Sequence, residues 1–304
     1  MLSSQIEYVA LVSSDPQQTA DVFATHFGLP RQSCKSSEGD IAVFRLGRSA
    51  LAVFPTGHPL VGGETKSGVH HIALGAANPA AAAKGAGVDG KTVHGLDGRA
   101  CVRMPRESTV GVRIALTEPL GLAPHAGTVV EKIDHLGVAS TDVLEDEAVF
   151  CTRLGFPIES RQTDMEVRMA VESFTSDKYG VIYHNRSPEP VGGLRVYFIT
   201  VGDCELEFLA NFDPRQGTQI EHGQAGSTKQ DQGAITRFVQ SRGRGLHHVA
   251  LRVRDIDATL GGMAKAGLPM IDSRGRPGSR RAQIGFPHPK ATGGILMHLV
   301  QRDG

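Results

Sequence analysis

The chain has 304 residues, of which 40% are hydrophobic and 21% are charged, so it has enough apolar material for about two globular domains. Lysine and arginine together number 32, as do aspartate and glutamate, and a net charge of zero gives no overall field that would attract nucleic acid or an acidic membrane. The N-terminus does not resemble a signal peptide, no apolar run reaches the roughly 18 residues of a transmembrane helix, and the four cysteines form no CxxC pair. We therefore expect a cytoplasmic protein with reduced cysteines and without nucleic-acid or membrane partners.

Each half of the chain contains a shorter unit, which occurs about four times in all. The unit begins with an alternating apolar strand, continues through a polar turn into an amphipathic helix, and ends with a few antiparallel strands. In the third unit, the segment 194–212 predicts two strands joined by a tight turn. In the last unit, Asp255 precedes a helix that is predicted by the spacing of Ile256, Leu260 and Met263. This pattern predicts an α+β fold.

Longer segments repeat as well, and they divide the chain into two copies. The segment IEYVALVSSD from Ile6 aligns without a gap with IDHLGVASTD from Ile133, and GVRIAL parallels GILMHL. A histidine pair occurs both in GVHHIAL from Gly68 and in GLHHVALRV from Gly245, which leaves about 50 extra residues in the second copy. We infer a tandem duplication with a joint, rich in proline and glycine, at residues 117–132.

Four side chains of the second copy have the types and positions of metal ligands. Alternation along GLHHVALRV places His248 on one face of the strand and His247 on the other, as its outward or backing neighbour, and His135 occupies the place of His248 in KIDHLGVAS. Glu207 lies on the strand ELEFL, and His298 lies on the last strand, LMHLVQ. If the units pair side by side, one carboxylate and three imidazoles converge as ligands for a divalent transition metal.

The first copy does not repeat this set of ligands, because only one of its four equivalent positions holds a potential ligand. Those positions hold Tyr8, an apolar strand around Val53, His71 and Ala115. We therefore expect a structural first module at residues 1–122 and a metal-binding second module at residues 130–304.

These motifs resemble the vicinal oxygen chelate (VOC) superfamily, which includes glyoxalases, bleomycin-resistance proteins, extradiol and 4-hydroxyphenylpyruvate dioxygenases, and methylmalonyl-CoA epimerases. The likeness covers nearly the whole chain as two modules of paired βαβββ units, whose curved mixed sheets form a cleft. In the second module, the segments KIDHLGVAS, ITRFVQSRGRGLHHVALRVRDIDATL and IGFPHPKATGGILMHLVQ are most similar to the epimerases. The resemblance implies one divalent ion (cobalt, manganese, nickel, zinc or iron(II)) bound by His135, Glu207, His248 and His298.

Two features depart from the epimerase pattern. The epimerases normally have a glutamate where this chain has His298, so one negative charge is lost from the set of ligands. We expect a metal bound by three neutral imidazoles and one carboxylate to be the stronger Lewis acid. The insertion in the second copy also obscures the position of the family's other catalytic glutamate, for which Glu166 and Glu172 are both candidates.

Three functions are consistent with the resemblance. The first is an epimerase or isomerase that transfers a proton next to a metal-chelated carbonyl of an acyl-CoA or keto acid, with Glu207 and His298 as catalytic residues. The second is an Fe(II) dioxygenase of the extradiol or 4-hydroxyphenylpyruvate type, with His135, His248 and Glu207 as its facial triad. The third is a non-enzymatic small-molecule binding protein of the bleomycin-resistance kind.

Four other residues are candidates for contacts with a small-molecule substrate. His288 and Lys290 in FPHPK could contact a substrate carboxylate or phosphate, or could be solvated charges in a turn. Tyr183 and His184 could line a pocket or pack at the edge of a sheet. The basic run at residues 272–283 is typical of a solvated loop, with a phosphate-binding patch as the alternative. A homodimer is a possible assembly.

Overall fold

A computed structural model describes residues 5–124, 129–212 and 233–302 of the chain. Over these residues the chain forms eighteen strands and five α-helices. The strands of the first half are β1 (Ile6–Ser13), β2 (Arg31–Ser36), β3 (Gly39–Leu46), β4 (Ser49–Pro55), β5 (Gly68–Gly75), β6 (Thr92–His94), β7 (Ala100–Arg103) and β8 (Ile114–Thr117). Those of the second half are β9 (Val130–Ala139), β10 (Ile158–Arg168), β11 (Val171–Ser176), β12 (Gly180–Asn185), β13 (Glu189–Val201), β14 (Cys204–Phe212), β15 (Gly245–Val253), β16 (Arg276–Pro277), β17 (Gln283–Gly285) and β18 (Met297–Gln301). The helices are α1 (Pro16–His26), α2 (Pro79–Gly85), α3 (Val143–Glu147, continued by a π-helical turn over Ala148–Arg153), α4 (Ala234–Arg242) and α5 (Ile256–Lys265).

The first half forms one mixed sheet of eight strands in the order β2-β3-β4-β1-β5-β8-β7-β6. It consists of two βαβββ units, one starting at β1 and the other at β5, and these two strands pair antiparallel where the units meet. Each unit's helix follows its first strand because an amide or carboxylate side chain ends the strand and caps the helix. Asp15 accepts a hydrogen bond from the N–H of Gln18, and Asn78 accepts one from that of Ala81.

The second half repeats this arrangement, with the strand order β10-β13-β14-β9-β15-β18-β17-β16 and an antiparallel junction between β9 and β15. Asp142 and Asp255 cap α3 and α5 in the same way. The insertion adds the separate hairpin β11–β12 between β10 and β13, and α4 precedes β15. The two strands predicted at 194–212 are β13 and β14, and the α+β fold of paired βαβββ units is confirmed.

The largest apolar core contains side chains of both halves, which therefore share one interior. The fully buried members of this core include Phe23 of α1, Phe44 of β3, Leu136 of β9, Phe150 of the π-helical turn and Leu251 of β15. The presence of one sheet in each half supports our proposal of two modules at residues 1–122 and 130–304. None of the helices in the described ranges is long and apolar enough to cross a membrane.

Candidate metal centre

Three imidazoles of the second sheet lie close enough together to bind one ion. Ligand nitrogens of His135, His248 and His298 all lie within 4.8 Å of one another. Their strands are neighbours in the sheet, and Ala250 on β15 pairs with His135 on one side and with His298 on the other. Because paired residues and residues two apart on a strand share a face, the register directs all three rings to the same side of the sheet.

Glu207 of β14 joins this group from the other side of β9. Its Oε2 atom lies 3.4 Å from Nε2 of His135 and 3.3 Å from Nε2 of His248. Burial raises the pKa of Glu207, but the adjacent imidazoles outweigh this effect and lower the pKa to about 2. The carboxylate is therefore anionic at neutral pH and carries the negative charge of the site.

The burial of these groups tests whether a metal fits them. All four side chains are buried, and neither ring nitrogen of His298 has a hydrogen-bond partner among the described residues. Nε2 of His135 and Nε2 of His248 lie close to the carboxylate of Glu207 but form no well-aligned hydrogen bond with it. A buried polar atom without a partner destabilises the fold by about 1–3 kcal/mol. A divalent transition metal would satisfy such nitrogens, and three imidazoles with one carboxylate suit zinc, cobalt, nickel, manganese or iron(II). The residues present fit a metal centre.

Asp134 orients the ring of His135. Its Oδ1 atom lies 2.7 Å from Nδ1 of His135, and Arg302 donates two hydrogen bonds, of 2.5 and 2.8 Å, to the two oxygens of the same carboxylate. Burial opposes ionisation of Asp134, yet these hydrogen bonds hold its pKa well below the usual range. An ionised Asp134 accepts the Nδ1–H of His135, which leaves the lone pair of Nε2 directed at the centre.

His247 contacts the ring of His248 as Asp134 contacts the ring of His135. The Nδ1 atoms of the two rings lie 3.0 Å apart, and Phe238 of α4 packs edge-on against His247 with ring centroids 4.7 Å apart. Both histidines line the same cavity, whereas the sequence predicted opposite faces. That alternation does not hold because the pairing of β15 with β9 shifts register between Leu246 and His248, so His247 is the extra residue of a β-bulge.

The four side chains of the centre line a cavity of about 430 Å³ whose walls are mostly apolar. The cavity is large enough for a small organic ligand. Its walls include Leu194, Phe198, Leu209, Ile235, Ile284, Phe286 and Val300.

Arg276 places a positive charge in the wall of this cavity. Its guanidinium lies 5.3 Å from the centre of the Phe286 ring and pairs with Asp272 at 3.4 Å, while its Nη1 is buried without a partner in the described structure. The basic run at 272–283 is therefore not a solvated loop throughout. No pattern in the sequence indicates which of the four arginines in this run faces the centre.

The four residues predicted to contact substrate do not line this cavity. Tyr183 and His184 lie on β12 of the exposed hairpin, and Tyr183 is 71% exposed. His288 caps a short 3₁₀-helix, in which it accepts a hydrogen bond from the N–H of Lys290. The alternative interpretations, edge residues of a sheet and charges in a turn, describe these positions better.

Glu172, one of the two candidates for the family's other catalytic glutamate, does not line the cavity of the metal centre. Glu172 lies on β11 of the hairpin, where it forms an ion pair of 2.6 Å with Arg186. The side chain of Glu166, the other candidate, lies outside the described residues.

The positions in the first sheet that correspond to the ligands cannot form this centre. The position equivalent to Glu207 is Ala52, one residue before the predicted Val53. Ala52 pairs with Ala10 of β1, just as Glu207 pairs with Gly137 of β9. The hydroxyl of Tyr8 lies 3.4 Å from Nε2 of His71, and the remaining position is Ala115. One imidazole, one phenol and two methyl groups remain where the second sheet has four ligands.

Comparison with known proteins identifies the family. The family model of the Glyoxalase/Bleomycin resistance protein/Dioxygenase superfamily matches residues 134–286. The mitochondrial methylmalonyl-CoA epimerase of Mus musculus is 28% identical over 130 residues, which are 42% of this chain and 64% of that protein. The mitochondrial methylmalonyl-CoA epimerase of Homo sapiens is 26% identical over 115 residues, which are 38% of this chain and 56% of that protein. The chain thus spans less than two thirds of either enzyme. The structure of a mutant of 4-hydroxymandelate synthase from Streptomyces coelicolor has a TM-score of 0.60 and 15% identity, with coverage of 100% of this chain and 94% of that one, and shows the same fold. The chain belongs to the Glyoxalase/Bleomycin resistance protein/Dioxygenase superfamily, the VOC superfamily.

Proposed function

We propose that the protein is a divalent-metal-dependent epimerase or isomerase that transfers a proton next to the carbonyl of an acyl-CoA or keto acid. The observation that carries this proposal is the convergence of Glu207 and three imidazoles in one buried, mostly apolar cavity. In a six-coordinate complex, four protein ligands leave two positions, which suffice for two neighbouring substrate oxygens but not for dioxygen as well.

The residues of the cavity have separate roles in this chemistry. A metal bound by these ligands would stabilise negative charge on a substrate oxygen as the proton leaves. We assign proton transfer to Glu207 and His298: the carboxylate of Glu207 accepts the proton through Oε1, and the ring nitrogen of His298 that does not bind the metal donates one as an N–H. The imidazole of His298 is neutral because burial lowers its pKa well below the usual value. The apolar walls exclude water and so strengthen the electrostatic interactions, and Arg276 is placed to hold an anionic group of the substrate.

The similarity to the methylmalonyl-CoA epimerases supports an acyl-CoA as the substrate class. The residues that the family model matches include three of the four proposed ligands, His135, Glu207 and His248. We also propose a cytoplasmic location and leave a homodimer as a possible assembly. The presence of a complete ligand set argues against the third function, a protein that only binds small molecules.

The second candidate function is an Fe(II) dioxygenase, and a specific feature of His298 favours it. A histidine that binds a metal almost always donates its other N–H to a neighbouring group. His135 and His248 have such neighbours in Asp134 and His247, whereas neither nitrogen of His298 has a partner among the described residues. If His298 is not a ligand, then His135, His248 and Glu207 form a facial triad with positions open to dioxygen.

The two candidates are distinguished by metal analysis of the purified protein together with two activity measurements. For proton transfer, we expect one divalent metal per chain and exchange of the α-proton of an acyl-CoA or keto acid in D₂O, observed by NMR, without oxygen consumption. Stoichiometric iron with consumption of oxygen in the presence of a catechol or keto acid would instead establish the dioxygenase.

A further inference from the structure

The half of the first sheet that corresponds to the metal centre is lined by arginine instead of apolar side chains. The register equates Ala115 on β8 with His298 on β18. By the same register, Arg113 stands where the second half has Leu296, and Arg103 stands where it has Phe286. The first module therefore has two guanidinium groups at positions that are apolar in the second module.

These guanidinium groups lie in the walls of two adjoining cavities. One, of about 290 Å³, is lined by His70, His71, Arg103, Arg106 and Arg113, together with Glu64 and several apolar residues. The other, of about 300 Å³, shares His70, Arg106, Arg113 and Glu64 with the first. It adds Lys66 and, from the second module, Arg242 of α4. We refer to the two cavities together as the cationic cleft.

The positive charges of the cationic cleft exceed the negative charges beside them. Glu64 pairs with Arg113 at 3.2 Å, and over the residues that the structure describes no carboxylate forms an ion pair with Lys66, Arg103, Arg106 or Arg242. Within that part of the chain, four cations of one cleft are thus left without an anionic partner. Burial lowers the pKa of Arg113, and the charges of Arg106 and Arg242 lower it further, as expected for cations that repel one another.

Backbone carbonyls fix three of these arginines and leave other N–H groups available. Arg103 donates to the carbonyl of Leu60 at 2.8 Å, Arg106 donates to that of Arg244 at 3.0 Å, and Arg242 donates to that of Ser67 at 2.9 Å. A carbonyl orients a guanidinium but does not neutralise it, and a guanidinium has five N–H donors. The arrangement is pre-ordered for an anion.

We propose that the cationic cleft binds a small molecule that carries a phosphate group. A phosphate monoester brings two negative charges and three acceptor oxygens, and a diphosphate brings more, so either balances several cations at once. A single carboxylate would leave most of the charge uncompensated. The cleft contains no complete metal site among the described residues, so this second binding site goes beyond the proposed function and does not depend on it.

The test is calorimetric titration of the full-length protein at low salt with pyrophosphate, inorganic phosphate and malonate. We expect pyrophosphate to bind most tightly and malonate least, and we expect added salt to weaken binding. Arg106→Gln and Arg242→Gln should each weaken pyrophosphate binding at least tenfold, because each removes charge-assisted hydrogen bonds without stranding a carboxylate. Arg48→Gln is the matched control, since Arg48 is exposed in the β3–β4 turn, and it should bind normally.

Two further variants distinguish binding in the cationic cleft from a general loss of folding and from binding at the metal centre. Arg106→Lys, which keeps the charge, should bind pyrophosphate more tightly than Arg106→Gln if the variants are folded. His248→Ala, which is aimed at the metal centre, should bind pyrophosphate as the wild type does. The proposal is overturned if no phosphate compound binds, if malonate binds as tightly as pyrophosphate, or if binding is lost in His248→Ala but kept in the two glutamine variants.

Discussion

The main chain of Gly137 passes directly against the imidazole of His248: a Cβ atom on this glycine would lie 2.0 Å from Cε1 and 2.2 Å from Nδ1 of the ring. The two residues pair across β9 and β15, so a side chain on Gly137 would project from the same face as His248. In the first module, the pair is Ala10 and His71. The glycine therefore lets a histidine of β15 lie against its neighbouring strand and reach the centre.

We predict that Gly137→Ala reduces metal affinity at least tenfold, because the ring of His248 must move away from the other ligands. Chelator competition followed by circular dichroism should show weak metal binding by a folded protein. Gly261→Ala is the control: it lies in α5, a Cβ there meets no heavy atom within 4 Å, and it should bind metal normally. Normal metal affinity in Gly137→Ala would show that His248 is not held at the centre.

The carboxylate of Asp134 gives a second prediction. Asp134→Asn keeps the shape of the side chain but loses the charge that holds the Nδ1–H of His135 and the guanidinium of Arg302. We expect metal affinity to fall about 10–100-fold, the usual effect of losing such a partner. Glu131→Gln, on the same strand but paired with arginines at the surface, should leave it unchanged. Equal affinities for the two variants would exclude a role for Asp134 in metal binding.

The two neighbouring histidines of β15 should differ in a third experiment. His248→Ala should eliminate the one metal ion that we expect per chain, because Glu207 and two imidazoles of the second module would not hold it tightly. His247→Ala should keep the stoichiometry but lower the affinity by about tenfold, since the ring supports His248 without reaching the centre. Metal analysis after dialysis measures both. Equal loss of metal in two folded variants would contradict this division.

The sequence predicted the fold because its evidence was local and repeated. Asp142 and Asp255 mark the starts of equivalent helices, and the alternation of apolar residues in 194–212 defines β13 and β14. The convergence of His135, His248 and His298 was also predictable, because His135 and His248 lie on the first strands of two paired units and His298 lies on the last strand of the second of these units. Repetition was thus the source of both the architecture and the candidate ligands.

The remaining features of the site depend on contacts that no repeat reveals. The β-bulge at His247 changes the face of that residue, and the position of Arg276 depends on how an irregular segment folds back over Phe286. Arg302 reaches Asp134 from 168 residues away in the sequence. Tyr183 is an aromatic residue of a type that often lines pockets, but it lies on the hairpin that the insertion adds to the second module. Such tertiary contacts override local patterns.

A fourth prediction concerns the dependence of stability on pH. Burial, together with the charges of Arg113, Arg103 and Arg106, lowers the pKa of His70 to about 3. Since this is below the value of about 6.5 in an unfolded chain, the unfolded state binds the proton more readily. His70 therefore does not reduce the free energy of unfolding above about pH 6.5. As the pH falls from there towards 3, the free energy of unfolding decreases by up to about 1.4 kcal/mol per pH unit.

Urea denaturation of the metal-free protein between pH 7 and pH 4 measures this effect. His70→Gln should lose less stability than the wild type over that range, because its side chain cannot be protonated. His94→Gln, at an exposed site on β6, serves as the control and should follow the wild type. Parallel curves for the wild type and His70→Gln would contradict the lowered pKa.

The final prediction concerns His298, on which the choice between the two functions depends. His298→Glu restores the carboxylate of the epimerase relatives, and metal binding should persist because a carboxylate oxygen suits the same ions. The added negative charge should make the metal a weaker Lewis acid and raise the pKa of a bound water. His298→Ala should lower the affinity markedly. In the cobalt-substituted protein, both changes should alter the visible absorption spectrum, because a ligand is exchanged or lost. If His298 is only a buried polar residue, the metal content and the spectrum will match the wild type in both variants. That outcome would leave His135, His248 and Glu207 as a triad and would make the dioxygenase the better-supported function.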